Sequence, residues 1–170
     1  MKKLTPCYCA TLFILTFLGA NLLPSDPYGL TEVLAEYPFG WYGNASSIEK
    51  LFNEHDIHIV LEVGSWIGGG STRHFANLLK PKGGLLYAVD TWLGSPEHQI
   101  NQDYYNPILP VVYEQFLSNM IHWGLTETVI PIRMESITAS KALQVQPDLI
   151  YIDGEHTTAA VYADLCAWYP

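Results

Sequence analysis

Glycine residues are concentrated in one short segment of the chain, which an acidic residue precedes. The stretch LEVGSWIGGGSTRHFA, from Leu61 to Ala76, places four glycines within seven residues, and Glu62 stands two positions before the first of them. Glycines permit positive φ angles and let a ligand approach the main chain closely, and a helix that follows offers free N–H groups and the positive end of its dipole. The pattern predicts a loop that holds a ligand, and the alternative is a tight strand-to-helix turn without one.

Two common nucleotide-binding patterns do not fit this loop. A phosphate-binding loop needs G-x-x-x-x-G-K-[ST], and alignment on Gly64 and Gly69 puts Gly70 where the lysine must stand. A dinucleotide fingerprint needs G-x-G-x-x-G, and Trp66 occupies the position of its second glycine. The sequence therefore disfavours both a nucleoside triphosphate and a nicotinamide cofactor.

Strand patterns alternate with helix patterns from residue 46 onward. The predicted strands are 57–63, 85–89, 128–132 and 148–152, and the predicted helices are 46–54, 70–80, 112–122, 137–143 and one capped by Thr157 or Thr158. This order indicates the α/β class, with a Rossmann-like parallel sheet covered by helices on both faces. Pro131 would place the third strand at an edge, and ligands of such sheets bind at the carboxyl ends of the strands.

A third loop pattern fits, E-x-G-x-x-x-G, formed by Glu62, Gly64 and Gly68, with Asp90 ending the next predicted strand. Together with LYAVDTW and PDLIYIDGEHTTAAVYADL, it resembles the class I S-adenosylmethionine-dependent methyltransferases. More narrowly, it resembles the small-molecule O-methyltransferase branch that includes macrocin O-methyltransferase and the cephalosporin-hydroxylase-like proteins. The resemblance covers about residues 46 to 170. It implies S-adenosylmethionine as cofactor and methyl transfer to a hydroxyl of a small-molecule acceptor or sugar.

The resemblance also implies which residues bind the cofactor. They are Glu62, Gly64, Ser65, Gly68, Asp90, Thr91, Trp92, Glu135 and Ser136. Glu62 would attract the cationic amino-acid end through water or loop N–H groups, and Asp90 would accept both ribose hydroxyls. The two residues after Asp90 would flank the adenine, which Glu135 and Ser136 would also contact. A helix cap is the alternative role for Asp90, and a solvated turn is the alternative for Glu135 and Ser136.

Asp153 and His156 are the catalytic candidates. Asp153 ends the fourth predicted strand, and His156 stands three residues later at the predicted start of a helix. A helix N-terminus disfavours imidazolium, so His156 would be neutral and able to accept a proton, although a capping role is the alternative. Methyl transfer to oxygen needs such a base or a divalent metal, and the sequence leaves metal dependence open. Glu155 and Asp164 are interpreted as solvated or capping residues.

The family fold resembles a seven-stranded sheet, of which this chain shows the first four strands. The chain is therefore predicted to be C-terminally truncated, with its fourth strand at an exposed edge. An alternative function follows from this prediction: a catalytically inactive binding module with the methyltransferase fold.

Net charge and the N-terminal segment indicate which partners and which location to expect for the protein. Eight Lys and Arg against 17 Asp and Glu give a net charge of −9, which disfavours nucleic acid as a partner. Residues 1–22 have a basic start and an apolar centre, which is typical of a signal peptide or a membrane anchor. An exported or membrane-tethered protein is therefore expected, or a cytoplasmic one if this segment is no signal. Residues 23–45 are interpreted as an irregular lead-in to a domain over 46–170.

Overall fold

The computed structural model describes residues 26–29, 32–100 and 107–169, so the predicted signal or anchor over 1–22 lies outside the described residues. The strands are β1 (Ile59–Val63), β2 (Leu85–Asp90), β3 (Val129–Arg133) and β4 (Leu149–Ile152). The α-helices within the described ranges are α1 (Ala45–Glu54), α2 (Ser71–Leu79), α3 (Pro96–Ile100), α4 (Val112–His122), α5 (Ser136–Ala142) and α6 (Thr158–Trp168). Short 3₁₀ turns follow α2 and precede α4.

The four strands form one parallel sheet in the order β3-β2-β1-β4. Successive side chains of a β-strand point to opposite faces of the sheet, so neighbouring residues join different cores. Val60 joins the core on the side of α1, α2 and α4, whereas Leu61 joins the core on the side of α5 and α6. The predicted α/β class, with a parallel sheet and helices on both faces, is confirmed.

Pro131 lies in β3, and β3 forms an edge of the described sheet, as predicted. Leu86 N donates to Thr128 O and Met134 N donates to Asp90 O, so the even-numbered residues of this segment bond to β2. The nitrogen of Pro131 therefore points away from β2. The missing N–H removes no hydrogen bond from the ladder, which explains why the strand accepts a proline.

Two elements begin at other residues than predicted. Asp148 Oδ2 accepts from the main-chain nitrogens of His58 and Ile59, at 2.8 Å each, so β1 begins at Ile59 rather than at residue 57. These two bonds lower the pKa of Asp148. α1 begins at Ala45 rather than at residue 46 and has no side-chain cap. Thr157 caps α6 as predicted, accepting from Ala160 N.

Residues 34–42, termed the N-terminal strap, contain no helix or strand and lie along α4. Buried polar side chains of α4 hold the strap by its main chain: Ser118 Oγ accepts from Leu34 N at 3.0 Å, and Asn119 Oδ1 accepts from Tyr37 N at 2.9 Å. Phe39 and Tyr42 of the strap pack against the core on the side of α1, α2 and α4, whereas Trp41 is 84% exposed. Hydrogen bonds to the main chain and the packing of these two rings together hold the strap.

No helix in the described ranges is both long enough and apolar enough to cross a membrane.

Candidate active site

The glycine-rich loop connects β1 to α2 and lies between two other segments of the chain. Gly64 and Gly68 have φ angles of +88° and +78°, which favour glycine. A Cβ on Gly64 would lie 2.5 Å from the Cα of Gly154, in the segment after β4, and a Cβ on Gly69 would overlap the carbonyl of Phe39 in the strap. Close packing of protein main chain therefore accounts for these glycines. Room for a ligand is found in the cavity beside the loop instead.

Asp90 joins the end of β2 to this loop. Its Oδ2 accepts from the main-chain nitrogens of Ser65, at 2.9 Å, and Trp66, at 3.0 Å, and its Oδ1 accepts from Trp92 N at 2.7 Å. A carboxylate has about four lone-pair positions, two on each oxygen, so these bonds use both positions of Oδ2 and one of Oδ1, and one position on Oδ1 remains for a ligand. Asp90 therefore shapes the loop and can still accept from a ligand hydroxyl.

Glu62 lies behind the loop. Its Oε2 accepts from Ser65 Oγ at 2.8 Å and from Thr72 Oγ1 at 2.6 Å, so Glu62 and Asp90 both hold Ser65. The side chain is completely buried, and Oε1 has no hydrogen-bond partner among the described residues. Burial raises the pKa of Glu62 to about 7, against the lowering effect of hydroxyl donors that include Thr72 and Ser65.

A cavity of about 360 Å³ opens at the carboxyl ends of β1, β2 and β4. This volume lies within the usual range for small-molecule sites. Seven of the predicted site residues border it: Gly64, Ser65, Asp90, Thr91, Glu135, Ser136 and Asp153. Four do not border it: Glu62, Gly68, Trp92 and His156.

The structure shows why these four residues do not border the cavity. Glu62 lies under the loop, and Gly68 faces the side chain of Met120. Trp92 is 2% exposed, and its Nε1 donates to Trp66 O at 2.6 Å, so the indole braces the loop from inside the core. His156 lies on the surface, with a side chain that is 61% exposed.

Comparison with protein families identifies the family of this chain. A family model described as a methyltransferase domain matches residues 61–170, a range that begins in β1 and includes every predicted site residue. The chain belongs to this methyltransferase family. No curated protein matches the chain. The family is one of class I S-adenosylmethionine-dependent enzymes, so the cavity of this methyltransferase is where its donor is expected.

The charge of the methyltransferase cavity suits that donor. Five carboxylates border it, and none of the described residues that line it is Lys or Arg; the carboxylates are Asp90, Glu135, Asp153, Glu155 and Asp164. S-adenosylmethionine carries two positive charges and one negative charge, so a negative cavity stabilises it. The donor also carries ribose hydroxyls, and Asp90, at the end of β2, is the candidate acceptor for them.

Sequence reasoning missed part of the cavity wall. Trp66 stacks on His98 of α3 with ring centroids 4.3 Å apart and planes 6° from parallel, and both border the cavity. Residues 91–110 are polar and interrupted by prolines, and no local pattern there predicts α3. The sequence shows Trp66 only as an obstacle to a dinucleotide, and its residue type does not predict its positive φ of 49°.

Glu135 and Ser136, at the end of β3, border the cavity while making bonds within the protein. Glu135 caps α5 by accepting from Thr138 N at 3.1 Å and from Thr138 Oγ1 at 2.8 Å. Ser136 Oγ accepts from Trp168 Nε1 of α6 at 2.9 Å. These bonds fix the end of β3 against α6, and both residues remain candidates for contact with the adenine.

Asp153 and His156 form a pair at the cavity rim. The His156 Nε2 to Asp153 Oδ1 distance is 3.4 Å, and the Asp153 side chain is 37% exposed. The prediction that His156 starts a helix is wrong by two residues, because Thr157 is the cap and α6 begins at Thr158. The helix dipole therefore acts on His156 less directly than expected, and Asp153 is a polar neighbour of its imidazole.

Among the described residues, no group of three or more His, Cys, Asp or Glu side chains is arranged to hold a metal ion.

Proposed function

We propose that this methyltransferase transfers a methyl group to a hydroxyl of a small molecule or sugar, as in the small-molecule O-methyltransferase branch that its motifs resemble. The cavity at the ends of β1, β2 and β4 carries the proposal, because it brings Asp90, Ser65 and Asp153 to one surface. In a parallel sheet this is the edge where ligands bind. Its limited volume, about 360 Å³, favours a small acceptor over a macromolecule.

Asp90 and the glycine loop are the parts that orient the donor. Asp90 accepts from three main-chain N–H groups, so its carboxylate cannot rotate freely, and this fixed orientation supports a role in accepting from a ribose hydroxyl. Ser65 is held from both sides, through its nitrogen by Asp90 and through its hydroxyl by Glu62. The loop is thus rigid before any ligand binds, which lowers the entropy cost of binding.

Bound S-adenosylmethionine supplies a methyl group on a sulfonium ion, and transfer of that group to a hydroxyl leaves one proton to be removed. The imidazole of His156 can take that proton, and the Asp153 carboxylate beside it stabilises the imidazolium that results. The proton transfer then takes place at the rim of the cavity, where the acceptor enters.

One observation favours the inactive binding module as a second candidate. The side chain of His156 is 61% exposed, and a base in water has neither the fixed position nor the dry surroundings that strengthen proton transfer. A binding module would keep the donor site of Asp90 and would not need His156.

Calorimetry with S-adenosylhomocysteine tests the donor site. The wild-type chain should bind it, and Asp90→Asn should weaken binding about 10-fold or more, since a charged acceptor is replaced by a neutral amide. Asp56→Asn is the matched control, because the Asp56 side chain is 88% exposed and pairs with His58 away from the cavity. Absence of heat with the wild-type chain would overturn the proposal.

Transfer of labelled methyl groups to a panel of catechols and sugars separates the two candidates. The enzyme should give labelled product, and His156→Ala should lower its rate about 100-fold without changing donor affinity. Donor binding with no product from any hydroxyl compound would favour the binding module.

A further inference from the structure

Asp164 is a buried carboxylate that borders the cavity. It lies in the middle of α6 and is 7% exposed, so it is neither the solvated residue nor the cap that its sequence position indicated. Among the described residues, no hydrogen bond or ion pair to its side chain is found. A carboxylate that is mostly buried and has no protein donor gains from a ligand that supplies one.

The other four carboxylates of the cavity differ from Asp164 in this respect. Asp90 accepts from main-chain nitrogens and Glu135 from Thr138. Glu155 accepts from Thr157 Oγ1 at 2.8 Å, and Asp153 has His156 at 3.4 Å. Asp164 is thus the most buried carboxylate of the wall and the one that the protein leaves without a partner.

The position of Asp164 indicates which part of a ligand it would meet. Its Oδ2 is 3.9 Å from the point where a Cβ on Gly154 would lie, and Gly154 packs directly against Gly64 of the glycine loop. Asp164 therefore lies at the β1 and β4 side of the cavity, whereas Asp90 marks the β2 side, where the ribose is expected. With the ribose at Asp90 and the adenine toward Glu135 and Ser136, the side of the cavity next to Asp164 is left for the amino-acid end of the donor.

We propose that Asp164 binds the ammonium group of the methyl donor directly, while Glu62 acts from behind the loop through Ser65. This inference rests on the proposed function. Glu62 has no surface in the cavity, so a second carboxylate is needed for direct contact with the ammonium. An ammonium group brings three donors and a positive charge, which supply what the Asp164 carboxylate lacks.

Two ligands that differ only in the amino-acid end test the proposal by calorimetry. S-adenosylhomocysteine carries the ammonium, and 5′-methylthioadenosine has the same nucleoside without the amino-acid end. Asp164→Asn should weaken S-adenosylhomocysteine about 10- to 150-fold, the range for a hydrogen bond between charged groups, and change methylthioadenosine less than about twofold. Asp56→Asn is the matched control: it removes an exposed carboxylate that does not border the cavity, and it should change both affinities less than about twofold.

The stability of the ligand-free chain provides an independent readout. Removal of an unpartnered buried charge should leave Asp164→Asn at least as stable as wild type in thermal denaturation. A variant that is less stable, or that loses affinity for both ligands equally, would show a structural role and overturn the proposal.

A third ligand keeps the test valid if the variant does not fold. The desamino analogue of S-adenosylhomocysteine should bind the wild-type chain about 10- to 150-fold more weakly than the parent compound, and equal affinities would overturn the inference. If the wild-type chain binds none of the three ligands, the proposed function itself fails. If it binds them without the predicted differences, only the role of Asp164 fails.

Discussion

Substitution of Asn119 by alanine should destabilise both the strap and the glycine loop. Asn119 lies in α4 and is completely buried. Its Nδ2 donates to Tyr37 O at 2.9 Å and to Ile67 O at 2.8 Å, and its Oδ1 accepts from Tyr37 N at 2.9 Å and from Gln115 Nε2 at 3.1 Å. One amide thus links the strap to the loop that borders the cavity.

The magnitude follows from these four bonds. Each contributes about 1 kcal/mol net, so Asn119→Ala should lower the free energy of unfolding by about 4 kcal/mol. For a domain of this size, that corresponds to a fall of about 8–16 °C in Tm. Alanine offers neither a donor for the carbonyl of Ile67 nor an acceptor for the nitrogen of Tyr37. Affinity for S-adenosylhomocysteine should therefore fall as the loop loses its support.

Urea denaturation followed by tryptophan fluorescence measures the loss, and calorimetry measures ligand affinity. Asn53→Ala is the matched control, because Asn53 is exposed on α1 and should change stability by less than about 0.5 kcal/mol. A loss below about 1 kcal/mol for Asn119→Ala would refute the reasoning, since it would show that water replaces these bonds at little cost.

Three further predictions concern the loop and its surroundings. Burial holds the pKa of Glu62 near 7 against 4.5 when unperturbed, so the folded chain keeps a proton that the unfolded chain releases. The free energy of unfolding of wild type relative to Glu62→Gln should therefore fall by about 3 kcal/mol as pH rises from about 4.5 to 7, and then level off. Urea denaturation at several pH values measures this, and the same pH dependence of stability in both proteins would contradict the prediction. Gly69→Ala should lower the free energy of unfolding by about 2 kcal/mol or more in the same assay, because its methyl group would overlap a carbonyl oxygen of the strap. Gly43→Ala is the control and should be nearly neutral, because there is open space around its Cα. Trp92→Ala should lower the free energy of unfolding by about 3–5 kcal/mol, because Trp92 is 2% exposed. Trp41→Ala should lower it by less than about 0.5 kcal/mol, because Trp41 is 84% exposed. Similar shifts in Tm for the two variants would be inconsistent with their burial.

Local patterns predicted the elements that hold the candidate site. Runs of β-branched and apolar residues indicated all four strands to within two residues at each end, because strand preference and alternation are properties of neighbouring residues. The position of Asp90 and Asp153 beside one cavity also followed, since the carboxyl ends of parallel strands share one edge of the sheet. Five-residue α3 was missed, because so short a helix has too few turns to show a period.

Which acidic residues face the cavity could not be read from the same patterns. Glu62 and Asp90 are both acids in or at the end of a strand, yet Glu62 is covered by the hydroxyls of Ser65 and Thr72 and does not reach the cavity. Asp164 has the sequence context of an ordinary helical surface residue, yet α6 turns it inward. The glycines, taken at first as room for a ligand, are required by the close approach of the strap and of the segment after β4.

The difference between these two groups of results lies in the range of the interactions involved. Strand type, helix type and the order of the sheet depend on residues close together in the chain and on general rules for parallel strands, so they can be inferred from residue order. The exposure of a side chain depends on what packs over it, and here those contacts join residues far apart: Asn119 meets Tyr37 across 82 positions and Ile67 across 52. Because these contacts form only when the whole domain has folded, the charge and shape of the cavity became visible only in three dimensions.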